Sequence, residues 1–103
     1  MDDDWICHLS ALQLQSAIHS RRVSCQRVLI AHLNRIRRLN SFVTAVINLK
    51  DESELLSEAK AFDSLISLPN LTEKPLLGFP VAIKDLAHAR GIPTTFGERQ
   101  MRP

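Results

Sequence analysis

The sequence Gly-Phe-Pro-Val-Ala-Ile-Lys-Asp, at residues 78–85, decides the fold. Residues 79–83 are apolar, which is typical of a strand covered on both faces, and Pro80 lies near its start, where a missing N–H is tolerated. A second short β-branched run at residues 42–47 predicts another strand. Between the two runs, residues 51–66 have helical spacing. Strand, helix and strand in this order predict a βαβ unit with parallel strands.

Two further helices are predicted before this unit. Ser10 is a suitable N-cap for a helix that ends near Ser20, and Ser24 for a helix over residues 25–39. Asp51 and Glu54 have the spacing of a capping box for the third helix. The predicted fold class is therefore α/β, with N-terminal helices followed by a βαβ-like unit. Two strands are too few for a stable sheet, so the chain looks like part of a larger domain.

The composition excludes several classes of protein. The 103 residues are 45% apolar and 23% charged, with 3 Gly and 5 Pro, which argues against disorder, collagen and a disulfide scaffold. No apolar run is long enough to cross a bilayer, and the start is acidic where a secretory signal is basic. The two cysteines are read as reduced thiols of a cytoplasmic protein, and no metal site is expected, since the cysteines and histidines lack zinc-site spacing. Residues 1–8 are expected to be a flexible N-terminus.

Residues 21–38 form a basic stretch with six arginines and no acid. A small, non-catalytic interaction protein that uses this basic helix is therefore an alternative function. A solvated face, or one paired with acidic parts of the molecule, explains the same pattern. No aromatic residues are interleaved for base stacking, which argues against nucleic acid as the partner.

Lys84 ends the second predicted strand, at the sheet edge where α/β proteins bind ligands. A lysine amine that is partly removed from water has a lowered pKa and becomes a usable base. The alternative is that Lys84 is an ordinary charged residue at the exit of a strand.

Residues 78–85 and the sequence Gly-Ile-Pro-Thr-Thr-Phe-Gly at residues 91–97 resemble two motifs of the amidase signature family. The resemblance extends over about residues 9–97. It implies a mixed sheet covered by helices, of which residues 1–103 are the incomplete N-terminal part of a single amidase domain.

The resemblance also implies a chemistry. In this family a neutral lysine, here Lys84, draws a proton through a serine in a cis peptide linkage and so activates a nucleophilic serine, which attacks a carboxamide. Four further residues are expected to shape the site, namely Asp85, Thr94, Thr95 and Gly97. The substrate is a small-molecule amide, and no cofactor is implied.

The sequence departs from the family in one respect. The Gly/Ser-rich stretch that supplies both serines is not found in these 103 residues, which have glycine only at 78, 91 and 97. We therefore expect the chain to be inactive alone. Phe96 favours the general amidase branch over the glutamyl-tRNA amidotransferase branch, which stays an alternative. The N-terminal membrane helix of the fatty-amide branch is missing, and a homo-oligomer stays open.

Overall fold

The computed structural model describes residues 3–44, 46, 48–66 and 74–83, and within them the regular structure is helical. A 3-10 helix over Asp4–His8 precedes three α-helices. These are α1 (Ala11–His19), α2 (Cys25–Val43) and α3 (Glu52–Asp63). Helix α2 is the centre of the arrangement, because it packs against both α3 and the 3-10 helix.

The three predicted helices are confirmed, and so are two of the predicted caps. The Ser10 hydroxyl accepts a hydrogen bond from the Gln13 N–H, and the Gln13 side-chain oxygen accepts one from the Ser10 N–H. The Ser24 hydroxyl likewise accepts from the Arg27 N–H at the start of α2. These bonds satisfy backbone donors that the first turn of a helix leaves free.

The capping box predicted for α3 is wrong. Asp51 occupies the N-cap position, but its side chain makes no capping hydrogen bond. Its carboxylate instead accepts a hydrogen bond from the Ser53 hydroxyl. Helix α3 starts here nonetheless, with Glu52 and Glu54 in its first turn, where negative charge is favourable to the helix dipole.

The core joins α1, the turn after it, α2 and the 3-10 helix. Its fully buried side chains are Ile6, Ile18, Val23, Cys25 and Val28. Ile6 belongs to the 3-10 helix, so residues 4–8 are a packed element where the sequence suggested a flexible N-terminus.

The strand predicted at residues 42–47 is wrong for Phe42 and Val43, which are the last two residues of α2. The helix ends at Thr44, whose backbone is left-handed at φ 47°, and the Thr44 N–H donates to the Asn40 carbonyl oxygen. The Asn40 side-chain amide then bonds both the N–H and the carbonyl oxygen of Val46, at 2.9 and 2.8 Å. Those are the two backbone groups that a strand would use, so Val46 has none left for a ladder.

The second predicted strand is not found in the part of it that the structure describes, residues 79–83, which have no regular secondary structure. The Phe79 N–H donates to the Leu76 carbonyl oxygen, and so closes a turn. The βαβ unit is therefore not shown, while the helical part of the predicted fold is.

Candidate functional site

Residues 74–83, here called the motif segment, lead to the proposed base at Lys84. The segment begins with a turn in which the Leu77 N–H donates to the Lys74 carbonyl oxygen at 3.2 Å. The Gln15 side chain, on α1, donates to the Pro75 carbonyl oxygen at 3.1 Å. Leu77 is buried in the core cluster, so the start of the segment is attached to the helices through both polar and apolar contacts.

Gly78 marks the point where the motif segment contacts the start of α2. Its φ of +83° is a backbone conformation that residues with a Cβ rarely adopt. A Cβ built on this residue would also lie 2.5 Å from the Cys25 sulfur, and 3.7 Å from the Ile18 Cδ1. Conformation and space both therefore require glycine at the first position of the motif.

Asp63, the last residue of α3, holds the residue that Gly78 contacts. The Cys25 N–H donates to Asp63 Oδ1 at 2.6 Å, and the Gln26 N–H donates to Asp63 Oδ2 at 3.3 Å. A carboxylate at a helix N-terminus satisfies free backbone donors and is favoured by the helix dipole. The end of α3, the start of α2 and the motif segment thus meet at one junction, formed by Asp63, Cys25 and Gly78.

The Cys25 thiol at this junction is chemically inert. Burial raises the pKa of the Cys25 thiol to about 12, and the neighbouring Asp63 carboxylate contributes in the same direction. Since the thiolate is the reactive form, a thiol in this state is not a nucleophile near neutral pH. Cys25 therefore contributes packing to the site and no covalent chemistry.

Beyond the junction the motif segment leaves the helices. Val81 is 71% exposed and Ile83 is 52% exposed, although both are strongly apolar. The proposed site residues follow directly and lie outside the described residues; they are Lys84, Asp85, Thr94, Thr95 and Gly97. Their roles therefore stay predictions, and the structure describes only how the segment that precedes them is anchored.

The basic face of α2 is largely paired with acids. Arg27 makes a two-pronged ion pair with Asp3, with both nitrogen–oxygen distances at 2.9 Å. Arg35 and Arg38 both contact the carboxylate of Asp4, at 3.0 and 2.8 Å.

These pairs have electrostatic consequences. The hydrogen bond from Arg38, with those from His8 and Arg35, lowers the pKa of Asp4 to about 2. The Arg27 hydrogen bond likewise lowers the pKa of Asp3. Arg37 is paired with Glu52 of α3. Within the described residues, acids of the same chain thus neutralise most of the basic helix, which weakens the case for an anionic partner.

Trp5 of the 3-10 helix completes this face. The guanidinium groups of Arg22 and Arg27 lie 5.4 and 5.7 Å from the centre of its ring. Both distances are within the range of a cation–π contact.

Two searches of the described residues returned nothing. None of the helices found there is both long and apolar enough to span a bilayer. In the same part of the chain, no three side chains of the metal-binding types lie together.

Comparison with known proteins gives a consistent result. The amidase family model matches residues 27–103. The A-type polypeptide of glutamyl-tRNA(Gln) amidotransferase from Lawsonia intracellularis is 40% identical over 88 residues, which are 85% of this chain and 17% of that protein. Its counterpart from Acidothermus cellulolyticus is 36% identical over 90 residues, 87% of this chain and 17% of that protein.

A relative from the other branch matches to a similar extent. Fatty-acid amide hydrolase 2 of Homo sapiens is 30% identical over 95 residues, which are 86% of this chain and 18% of that protein. The chain therefore spans less than a fifth of the length of these relatives. No solved structure matches.

Proposed function

The chain belongs to the amidase family, and we propose that its part in an amide-hydrolysing site is to supply the catalytic base, Lys84. The observation that carries this proposal is the family match over residues 27–103, which includes the lysine motif at residues 78–85. The anchoring of the motif segment through Leu77 and Gly78 supports it, because a base must be held at a defined place relative to the group it deprotonates.

The proposed reaction cleaves the C–N bond of a carboxamide. A neutral Lys84 amine accepts the proton of one serine hydroxyl, which in turn accepts the proton of a second serine, the nucleophile. The nucleophile attacks the carbonyl carbon, the amine leaves with a proton, and water hydrolyses the acyl-enzyme. Asp85, Thr94, Thr95 and Gly97 shape the site around the lysine.

A lysine can act in this way only if its environment disfavours the ammonium form. Removal from water does so, and lowers the lysine pKa from about 10.4 towards neutrality. Both serines belong to a Gly/Ser-rich stretch that these 103 residues do not contain, so the chain alone is proposed to be inactive.

The glutamyl-tRNA amidotransferase branch is the second candidate within the family. Two of the three relatives described above bear that name, and one is an amide hydrolase. Both branches process an amide nitrogen, so the proposal commits to cleavage of a carboxamide and leaves the acceptor of the acyl or amino group to the branch.

A chimera tests the role of Lys84. The 103 residues replace the matching segment of human fatty-acid amide hydrolase 2, and hydrolysis of a fatty-acid amide is measured. Lys84→Ala is expected to lower kcat by about 10²–10⁴-fold, the usual contribution of a general base. Lys84→Arg should lower kcat similarly, because arginine keeps the positive charge but does not deprotonate.

Lys74→Ala and Lys74→Arg are the matched controls, since Lys74 is an exposed lysine in the same segment. Both should leave kcat unchanged. A folded chimera without activity, or one in which Lys84→Arg retains full kcat, would contradict the proposal.

A further inference from the structure

The junction of Asp63, Cys25 and Gly78 gives Cys25 a role beyond packing. We propose that Cys25 is a positioning residue, whose sulfur is the surface on which Gly78 rests and which thereby sets the direction of the motif segment towards Lys84. The catalytic part of this inference rests on the proposed function, while the contact itself does not.

The contact is closer than any other residue type would allow. The Cys25 sulfur would lie 2.5 Å from a Cβ at residue 78, and the Cys25 Cβ would lie 3.3 Å away. Any residue with a side chain at this position would therefore have to move away from α2. Gly78 lies directly against the sulfur because it has no side chain there.

Cys25 cannot readily yield to such a push. It is 1% exposed within the core, where close packing leaves little room for a side chain to move. Its backbone N–H is held by Asp63 at 2.6 Å, and Ser24 caps the same helix end. A displacement at this junction is therefore transmitted to the exposed residues 81–83, for which the described part of the chain offers no strand partner.

The distance to Lys84 makes this displacement important. Lys84 lies about six positions after Gly78, so the connecting chain spans at most about 20 Å. A tilt of about 10° at Gly78 would move the end of such a lever by roughly 3 Å, and a misplacement of about 1 Å can cost about 100-fold in rate.

The first experiment uses the 103-residue chain and tests the contact alone. The rate of Cys25 alkylation by N-ethylmaleimide is measured by peptide mass spectrometry, with the partly exposed Cys7 as an internal reference. Gly78→Ala should lift the motif segment and increase the Cys25 rate by at least ~10-fold, because a local opening exposes the thiol. Leu76→Ala, at an exposed residue of the same turn, should leave the rate unchanged.

The second experiment uses the chimera and tests the consequence for catalysis. Gly78→Ala and Cys25→Leu, which press on the junction from its two sides, are each expected to lower kcat by ~10–100-fold with KM within about 2-fold. Cys25→Ser, which conserves size, should retain kcat, and so should the control Val28→Leu, one turn further along α2. Adding Cys25→Ala to Gly78→Ala should recover part of the lost kcat, since it removes the sulfur.

Each result is decisive. An unchanged Cys25 alkylation rate in Gly78→Ala would overturn the contact, even if a variant chimera fails to fold. A loss of kcat that Cys25→Ala does not recover would assign the effect to the φ of Gly78 and overturn the role of Cys25. Full activity of Lys84→Arg would instead overturn the proposed function, and leave the alkylation result standing.

Discussion

The helical part of the chain and the motif segment satisfy their apolar residues in opposite ways. In the helices, Ile18 is 1% exposed, and it packs within a core drawn from distant parts of the sequence. In the motif segment, Leu77 is buried, but Val81 and Ile83 are largely exposed only a few residues later. The helices thus complete their own core, while the segment that leads to the proposed base is anchored at one end only.

This difference indicates what the helices do for the site. They provide a fixed base, at Gly78 and Leu77, from which apolar residues project without a partner in the described part of the chain. A complete amidase domain would offer such residues the neighbours that make a strand stable. If so, the two regions should differ energetically as they differ in burial.

The largest expected effect compares two isoleucines. Ile18→Ala should lower the free energy of unfolding by about 2–5 kcal/mol, because it leaves a cavity in the core. Ile83→Ala should change it by less than about 0.5 kcal/mol, since Ile83 buries little surface. Urea denaturation followed by far-UV circular dichroism measures both. Equal losses for the two variants would show that the motif segment is packed as firmly as the helices.

The next largest effect concerns two aspartates near the ends of α3. Asp63→Ala should lower the free energy of unfolding by about 1–2 kcal/mol, because it removes the acceptor of two N–H groups at the start of α2. Asp51→Ala is the matched control and should cost less than about 0.5 kcal/mol, since Asp51 makes no capping hydrogen bond. The same urea titration compares them, and a smaller loss for Asp63→Ala than for Asp51→Ala would contradict the junction.

The smallest effect is a pH dependence of the 3-10 helix. The pKa of Asp4 is lowered to about 2, from an ordinary value of 3.8, mainly by hydrogen bonding to Arg38. Its pairing with Arg35 and Arg38 therefore stabilises the docked helix above about pH 4, and is lost as the pH falls towards 2. Fluorescence of Trp5, the single tryptophan, should report this change. In Asp4→Asn the transition should be absent or reduced, and an unchanged transition in that variant would rule out Asp4 as its origin.

Local signals in the sequence were sufficient to predict the helices. The apolar spacing of α2 and the serines at residues 10 and 24 act within a few residues, and the structure has both caps. The strand at residues 42–47 failed for the complementary reason. β-propensity is weak and depends on a partner strand, and at Val46 the Asn40 side chain takes the backbone groups instead.

The junction could not be predicted from local pattern. Asp63 lies 38 residues from Cys25 in sequence, and nothing about either residue alone indicates the contact. The resemblance identified Gly78 as part of a motif, but only the structure gives a physical reason for glycine there. The pairing of the arginines with acids was one of the explanations left open, and its main partners, Asp3 and Asp4, lie in the segment expected to be flexible.

The most direct test of the central claim is an NMR titration of the Lys84 side chain in the chimera, with Lys74 as the reference. If Lys84 is the base of an amide-hydrolysing site, its ε-carbon should titrate well below the ordinary lysine pKa of about 10.4, while Lys74 titrates near that value. A Lys84 that titrates together with Lys74 would contradict the account.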